Sequence, residues 1–193
     1  MLRNHKSTSD FVSISIHKDF LELYPIAKDA IIFFETHEGK MSLESIVEFR
    51  DALDHVMMAF QNSEDKKRCS AETTSAVEHL RRASIEPYEW AVENVLAKIE
   101  TNRKWSLFHQ ILLIPKTIKD TQYHSLGADI KKELQAGRNC KNLKKWREGI
   151  DHFKRAYTYA KSLDKLIPDR MLYYGRLFDL FLVILGFLLA QLF

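Results

Sequence analysis

Residues Asn142–Ile167 read NLKKWREGIDHFKRAYTYAKSLDKLI, and this stretch decides the fold class. Leu143, Trp146, Ile150, Phe153, Tyr157, Ala160, Leu163 and Leu166 recur every three or four residues, so one side of an α-helix is apolar and the other charged. A half-buried strand would need alternation at period two, which is absent here. Pro168 separates this helix from the C-terminal segment of the chain.

The same period runs back toward the N-terminus. Residues 1–9 are polar and are expected to be disordered. A helical pattern starts near Asp10, with Phe11, Ile14, Phe20, Leu23 and Ile26 apolar; Pro25 is expected to divide it, a second helix running on to His37. Gly39 suits a left-handed C-terminal position, and Ser42 an N-cap. The next helix, Leu43–Asn62, predicts Ile46, Phe49, Leu53, Val56 and Phe60 as its buried stripe. Ser63–Ser70 reads as a polar loop, followed by a long helical pattern over Ala71–Glu100 that Pro87 should kink or split. Trp105–Ile114 is apolar but too short to span a bilayer, which makes it a core or interfacial segment ending at Pro115. A helix over Leu126–Ala136 is expected to break at Gly137. The sum is an all-α bundle of about six helices over residues 10–168.

The chain closes on Leu177–Phe193, LFDLFLVILGFLLAQLF. Leu180, Phe181, Leu182, Val183, Ile184, Leu185, Gly186, Phe187, Leu188 and Leu189 carry no polar side chain, and Asp179 and Gln191 lie near the two ends. This is the composition of a single transmembrane helix, with 169–193 as membrane-proximal segment and anchor. Tyr173 and Tyr174 fit an interfacial belt, and Arg170 and Arg176 the anionic headgroups. Ile130–Arg176 holds 13 Lys and Arg against 5 Asp and Glu, a local +8 in a chain of net +3, so the remainder carries −5. That asymmetry places the N-terminal body in the cytoplasm by the positive-inside rule. The same basic patch is compatible with nucleic acid, a sharper reading of the same charges.

Composition excludes several classes. Cys69 and Cys140 form neither a disulfide framework nor a metal knuckle, and the eight histidines show no metal-ligand spacing, so no metal and no cofactor are expected. No glycine-rich phosphate loop, nucleophile elbow or signal peptide is visible. Glu78-His79-Leu80-Arg81-Arg82 reads as a solvated helix face, and Trp90, Trp105 and Trp146 as core residues.

Two helices are alike beyond their period. Phe49–Phe60 reads FRDALDHVMMAF and Trp146–Tyr157 reads WREGIDHFKRAY, sharing Arg, Asp, His and Ala; with weaker flanking matches this suggests an internal duplication over 24–60 and 123–157. Arg50 with Asp54, and Asp51 with His55, are four apart on the two flanks of the apolar stripe, as are Arg147 with Asp151 and Glu148 with His152. Arg50-x4-His55 and Arg147-x4-His152 resemble the Arg-x4–6-His signature of the HEPN superfamily of helical bundles. That resemblance implies metal-independent cleavage of RNA, with Arg50, His55, Arg147 and His152 catalytic. The histidines would exchange the ribose 2′-hydroxyl proton while the arginines steady the phosphate.

The expectation is therefore a tail-anchored membrane protein presenting a cytosolic helical interaction domain, with the bilayer and a protein partner or a second copy as its contacts. A membrane-tethered HEPN-like ribonuclease, acting on RNA as a toxin or defence effector, is the alternative. A tail-dependent membrane-permeabilising effector is the third reading.

Overall fold

The computed structural model describes residues 18–104, 120–167 and 170–192. These form six helices and, among the described residues, no strand: α1 (Lys18–Glu38), α2 (Leu43–Gln61), α3 (Lys66–Lys104), α4 (Asp120–Asn142), α5 (Trp146–Asp164) and α6 (Arg170–Leu192). The all-α class follows from the helical period throughout. The polar residues 1–9, the apolar positions Phe11 and Ile14, the Trp105–Ile114 segment, Pro115, Pro168 and Phe193 lie outside the described residues. By its internal contacts the chain divides into two compact units, Met1–Pro87 and Tyr88–Phe193.

In the first unit, α1 runs unbroken through Pro25, where the sequence predicts a division. Pro25 lies on the exposed side, so the carbonyl it leaves without a helical partner faces water, and the buried line Phe20, Leu23, Ala27, Ala30 and Phe34 continues past it. Gly39 takes φ +65°, and its amide closes the helix onto the Glu35 carbonyl at 3.0 Å. Ser42 stands at the N-cap of α2, but its hydroxyl donates to Ser45 Oγ at 2.7 Å, not to a backbone amide.

The register of α2 differs from its apolar pattern. Its buried positions are Ser45, Ala52 and Ala59, flanked by half-buried Phe49 and Val56, whereas Leu53 and Phe60 are exposed. Apolar residues surround most of α2, so hydrophobicity alone does not select a face. Small residues seven apart do, because they let a neighbouring helix approach closely. The core they enter holds Phe20, Leu23, Ala27, Ala76, Val77, Leu80 and Ala83. The expected loop over Ser63–Ser70 is shorter than predicted. Asp65 Oδ1 accepts from the Lys67 and Arg68 amides at 3.0 and 3.1 Å, starting α3 at Lys66.

In the second unit, α3 continues beyond Pro87 without interruption, so the predicted break does not occur. The residues after it, Tyr88, Ala91, Val92, Val95 and Ile99, are all buried, and this burial exceeds the roughly 3 kcal/mol that an interior proline costs a helix. Buried Glu89 accepts from Arg138 Nε at 2.8 Å and Lys141 Nζ at 3.2 Å, tying α3 to α4. The hydrogen bond that Arg138 donates to Glu89 holds the guanidinium above its ordinary pKa, so this carboxylate is well compensated.

α4 extends from Asp120 through Gly137 to Asn142, so Gly137 is no helix breaker. A Cβ at Gly137 would lie 2.8–3.0 Å from the Phe153 ring, which is fully buried on α5. The glycine is there to let the ring pass. The turn into α5 places Lys144 at φ 60°, with its amide on Lys141 O and the Lys145 amide on Cys140 O, a Schellman closure. Leu143 is therefore an exposed turn residue, while Ile150, Phe153, Tyr157, Ala160 and Leu163 form the buried face of α5 as their spacing predicts.

The terminal helix α6 spans 23 residues, about 34 Å at 1.5 Å per residue. It begins before the 17-residue apolar stretch and takes in Arg170, Tyr173, Tyr174 and Arg176, so it is less marginal in length than that stretch alone implies. Its segment Tyr174–Gln191 is long and apolar enough to cross a membrane, and none of it is buried.

Gly137→Ala is expected to destabilise the chain by about 1–3 kcal/mol despite a helix-propensity gain of roughly 1 kcal/mol. Urea unfolding in detergent micelles measures this, and Phe153→Leu in the same chain should recover part of the loss.

Candidate functional site

Of the polar residues singled out by sequence, the two histidines do not stay on solvated helix faces. Two seams between antiparallel helix arms draw histidines onto carboxylates, one in each unit. Where α2 meets α3, His79 Nδ1 donates to Glu48 Oε2 at 2.8 Å and Arg82 Nε donates to the same oxygen at 2.7 Å. Further along the same helix pair, His55 Nδ1 donates to Glu72 Oε2 at 2.7 Å. Glu48 and His55 are seven apart on α2, as are Glu72 and His79 on α3, so the antiparallel arms exchange one pair each way. The two imidazoles stack, with centroids 5.1 Å apart and planes 26° from parallel.

The second unit builds the same group where α4 meets α5. Glu133 Oε2 accepts from His152 Nδ1 at 2.7 Å and from Arg155 Nε at 2.9 Å. His79-x2-Arg82 and His152-x2-Arg155 are equivalent, since a three-residue step on a helix puts the imidazole and guanidinium side by side facing one glutamate. In both groups the ionised carboxylate assigns the ring proton to Nδ1. The 2.8 Å approach of Arg82 Nη2 to His79 Nδ1, and of Arg155 Nη2 to His152 Nδ1, is then two donors drawn to a shared acceptor.

Burial alone would raise the Glu133 carboxyl, but the hydrogen bonds from His152 and Arg155 outweigh it and hold the group below its ordinary value. Asp51 is lowered too, chiefly by the hydrogen bond from Arg50. Arg50 donates to Asp51 Oδ1 through Nε at 3.1 Å and Nη2 at 2.7 Å, so it binds its chain neighbour and not Asp54 four residues on.

These positions bear directly on the Arg-x4-His spacings. His55 and His152 are half-buried in their seams with Nδ1 committed to a glutamate, whereas Arg50 and Arg147 lie on exposed faces of α2 and α5. Five residues on a helix separate side chains by about 140°, and neither helix by itself brings its arginine and histidine to one point. Arg176 lies 3.9 Å from Asp179 within α6. No group of three His, Cys, Asp or Glu that can hold a metal occurs among the described residues. Leu96, Ile99, Ile130 and Leu163 line an apolar cavity of about 600 Å³ in the second unit, with Glu100, His124 and Lys131 as its polar lining.

Six residues of the seams, Glu48, Glu72, His79, Arg82, Glu133 and Arg155, escape a reading built on Arg-x4-His. The Glu78–Arg82 segment, read as a solvated face, instead has His79, Arg81 and Arg82 in ion pairs and Leu80 fully buried. A signal was present: Val77–Ala83 reads VEHLRRA and Ile150–Ala156 reads IDHFKRA, a closer match than that of the helices holding Arg50 and Arg147. Comparison with protein-family models, with curated proteins and with solved structures finds no match to the chain.

Because Glu133 is lowered in the folded state, its stabilising contribution is complete above the ordinary value of 4.5 and is lost as the pH falls through the lower folded value. Glu133→Gln should lower stability at neutral pH by about 1–3 kcal/mol and flatten the acid limb. Urea midpoints from pH 7 to 3 measure both effects, and identical pH slopes in the two proteins would contradict the assignment.

Proposed function

We propose that this chain is a single-pass membrane protein, anchored by α6, whose helical body acts on the cytoplasmic side as an interaction module without catalysis. The observation that carries the reading is the exposure of α6. Every residue from Tyr174 to Gln191 is exposed, and Phe178, Phe181, Val183, Ile184, Phe187 and Leu188 are each more than half exposed. An apolar helix exposed all round needs lipid or protein to cover it, since a water-soluble surface helix keeps one polar face. Its 34 Å length matches a hydrocarbon core of about 30 Å with modest tilt. Orientation follows from the basic residues between Ile130 and Arg176, which precede the span.

Carbonate extraction of membranes should leave the full-length chain in the pellet, and removing Leu177–Phe193 should release it. Protease added to sealed vesicles with the cytoplasmic face outward should digest the body. Full-length protein in the carbonate supernatant, or a protected body, contradicts the anchor or its orientation respectively.

A second reading, a membrane-tethered ribonuclease of the HEPN-like kind, draws on the seam histidines. A glutamate on Nδ1 fixes the tautomer and turns Nε2 away from the carboxylate, as a general acid–base imidazole requires. On this reading His55→Ala and His152→Ala each abolish cleavage of RNA by detergent-solubilised protein while far-ultraviolet circular dichroism is retained. Cleavage that persists in the double variant excludes it.

A further inference from the structure

The first unit leaves a large apolar surface uncovered on α2. Leu43, Val47, Leu53, Met57, Met58 and Phe60 are between 41% and 67% exposed; Leu43, Val47, Met57 and Met58 lie on the side opposite buried Ala52, and Leu53 and Phe60 on its flank. Six large side chains exposed to this degree make a patch of several hundred Å², the scale that marks an interaction site on a soluble domain. Specific interfaces take about 800 Å² per partner, a size that this patch approaches once a polar rim is included. The adjacent methionines suit such a surface, because thioether chains repack against a partner at little cost.

Two charges lie along the centre line of this face, Arg50 and Asp54, one helical turn apart. A partner that covers the patch must satisfy both. Anionic lipid is disfavoured, since α2 carries Glu44, Glu48, Asp51 and Asp54 against the single Arg50. A basic amphipathic helix would answer Asp54 and oppose Arg50 with like charge.

We infer that α2 is a self-association surface, across which two copies of this chain pack antiparallel about a two-fold axis opposite Ala52. Residues 50 and 54 are equidistant from 52, so Arg50 of each copy meets Asp54 of the other and both charges are answered twice. On either side of this central pair of contacts, Val47 lies against Met58 of the second copy, and Ile46 against Met57. Arg50 keeps its bond to Asp51 through Nε and Nη2, leaving Nη1 to reach across the axis. This names the partner for the interaction module proposed above. Its failure leaves the carbonate test of α6 unaffected.

The test uses the full-length chain in detergent micelles, with Cys69 and Cys140 replaced by serine. Sedimentation across a concentration series should show a monomer–dimer equilibrium. A short bismaleimide should couple Leu53→Cys into a dimer and leave Leu21→Cys, exposed on α1, monomeric. Asp54→Arg should weaken the dimer by at least about tenfold, and Arg50→Asp with Asp54→Arg should restore it to within about threefold. Asp54 is exposed, so the variant keeps its helix content, and circular dichroism verifies this. A monomer at every concentration overturns the inference. So does a dimer that Asp54→Arg does not weaken, or one lost only when α6 is removed.

Discussion

The distance at which two helix backbones can pass governs the rest of the body. Where α4 crosses α5, the ring of Phe153 occupies the space a Cβ of Gly137 would fill. Where α2 enters the core of the first unit, Ser45, Ala52 and Ala59 perform the same service at seven-residue intervals. Large side chains at these places would push the arms apart. The polar groups across each seam would then no longer meet at 2.7–2.9 Å.

Close approach is what makes the seams chemically interesting. A glutamate between two helices is expensive to desolvate, and each one here is stabilised by an imidazole from the facing arm, with a guanidinium added for Glu48 and Glu133. The lowered Glu133 carboxyl records that this compensation exceeds its burial cost. One arrangement, glutamate opposite His-x2-Arg, appears in both units, and the first unit adds an exchanged pair in its longer hairpin. The histidines thus act first as structural donors, and any further chemistry would fall to the Nε2 side of each ring.

The two exposed apolar surfaces call for different coverings. Along α6 the exposure continues around the whole helix, the condition that a hydrocarbon solvent satisfies. On α2 it is confined to one side and interrupted by the charges of Arg50 and Asp54, the condition that a protein surface satisfies and lipid does not. A chain held in a membrane is confined to two dimensions, which raises the effective concentration of its copies and favours contacts too weak to persist in free solution.

Periodicity in the sequence by itself determined the all-α class, the buried face of α5 and the apolar character of α6, because each depends on residues close together in the chain. Gly39 was legible for the same reason, since a left-handed residue after a helix is a local requirement. What only the tertiary structure decided was which side of α2 is buried, why Gly137 sits inside a helix, and where the histidines point. In α2 the apolar residues are spread so widely that packing against small residues selected the face, leaving Leu53 and Phe60 outside. Proline costs at residues 25 and 87 were real but local, and burial on either side outweighed them. The carboxylate partners come from 17 to 31 residues away along the chain, and no short motif spans that separation. The side chains that define the site are therefore neighbours only once the helices have packed.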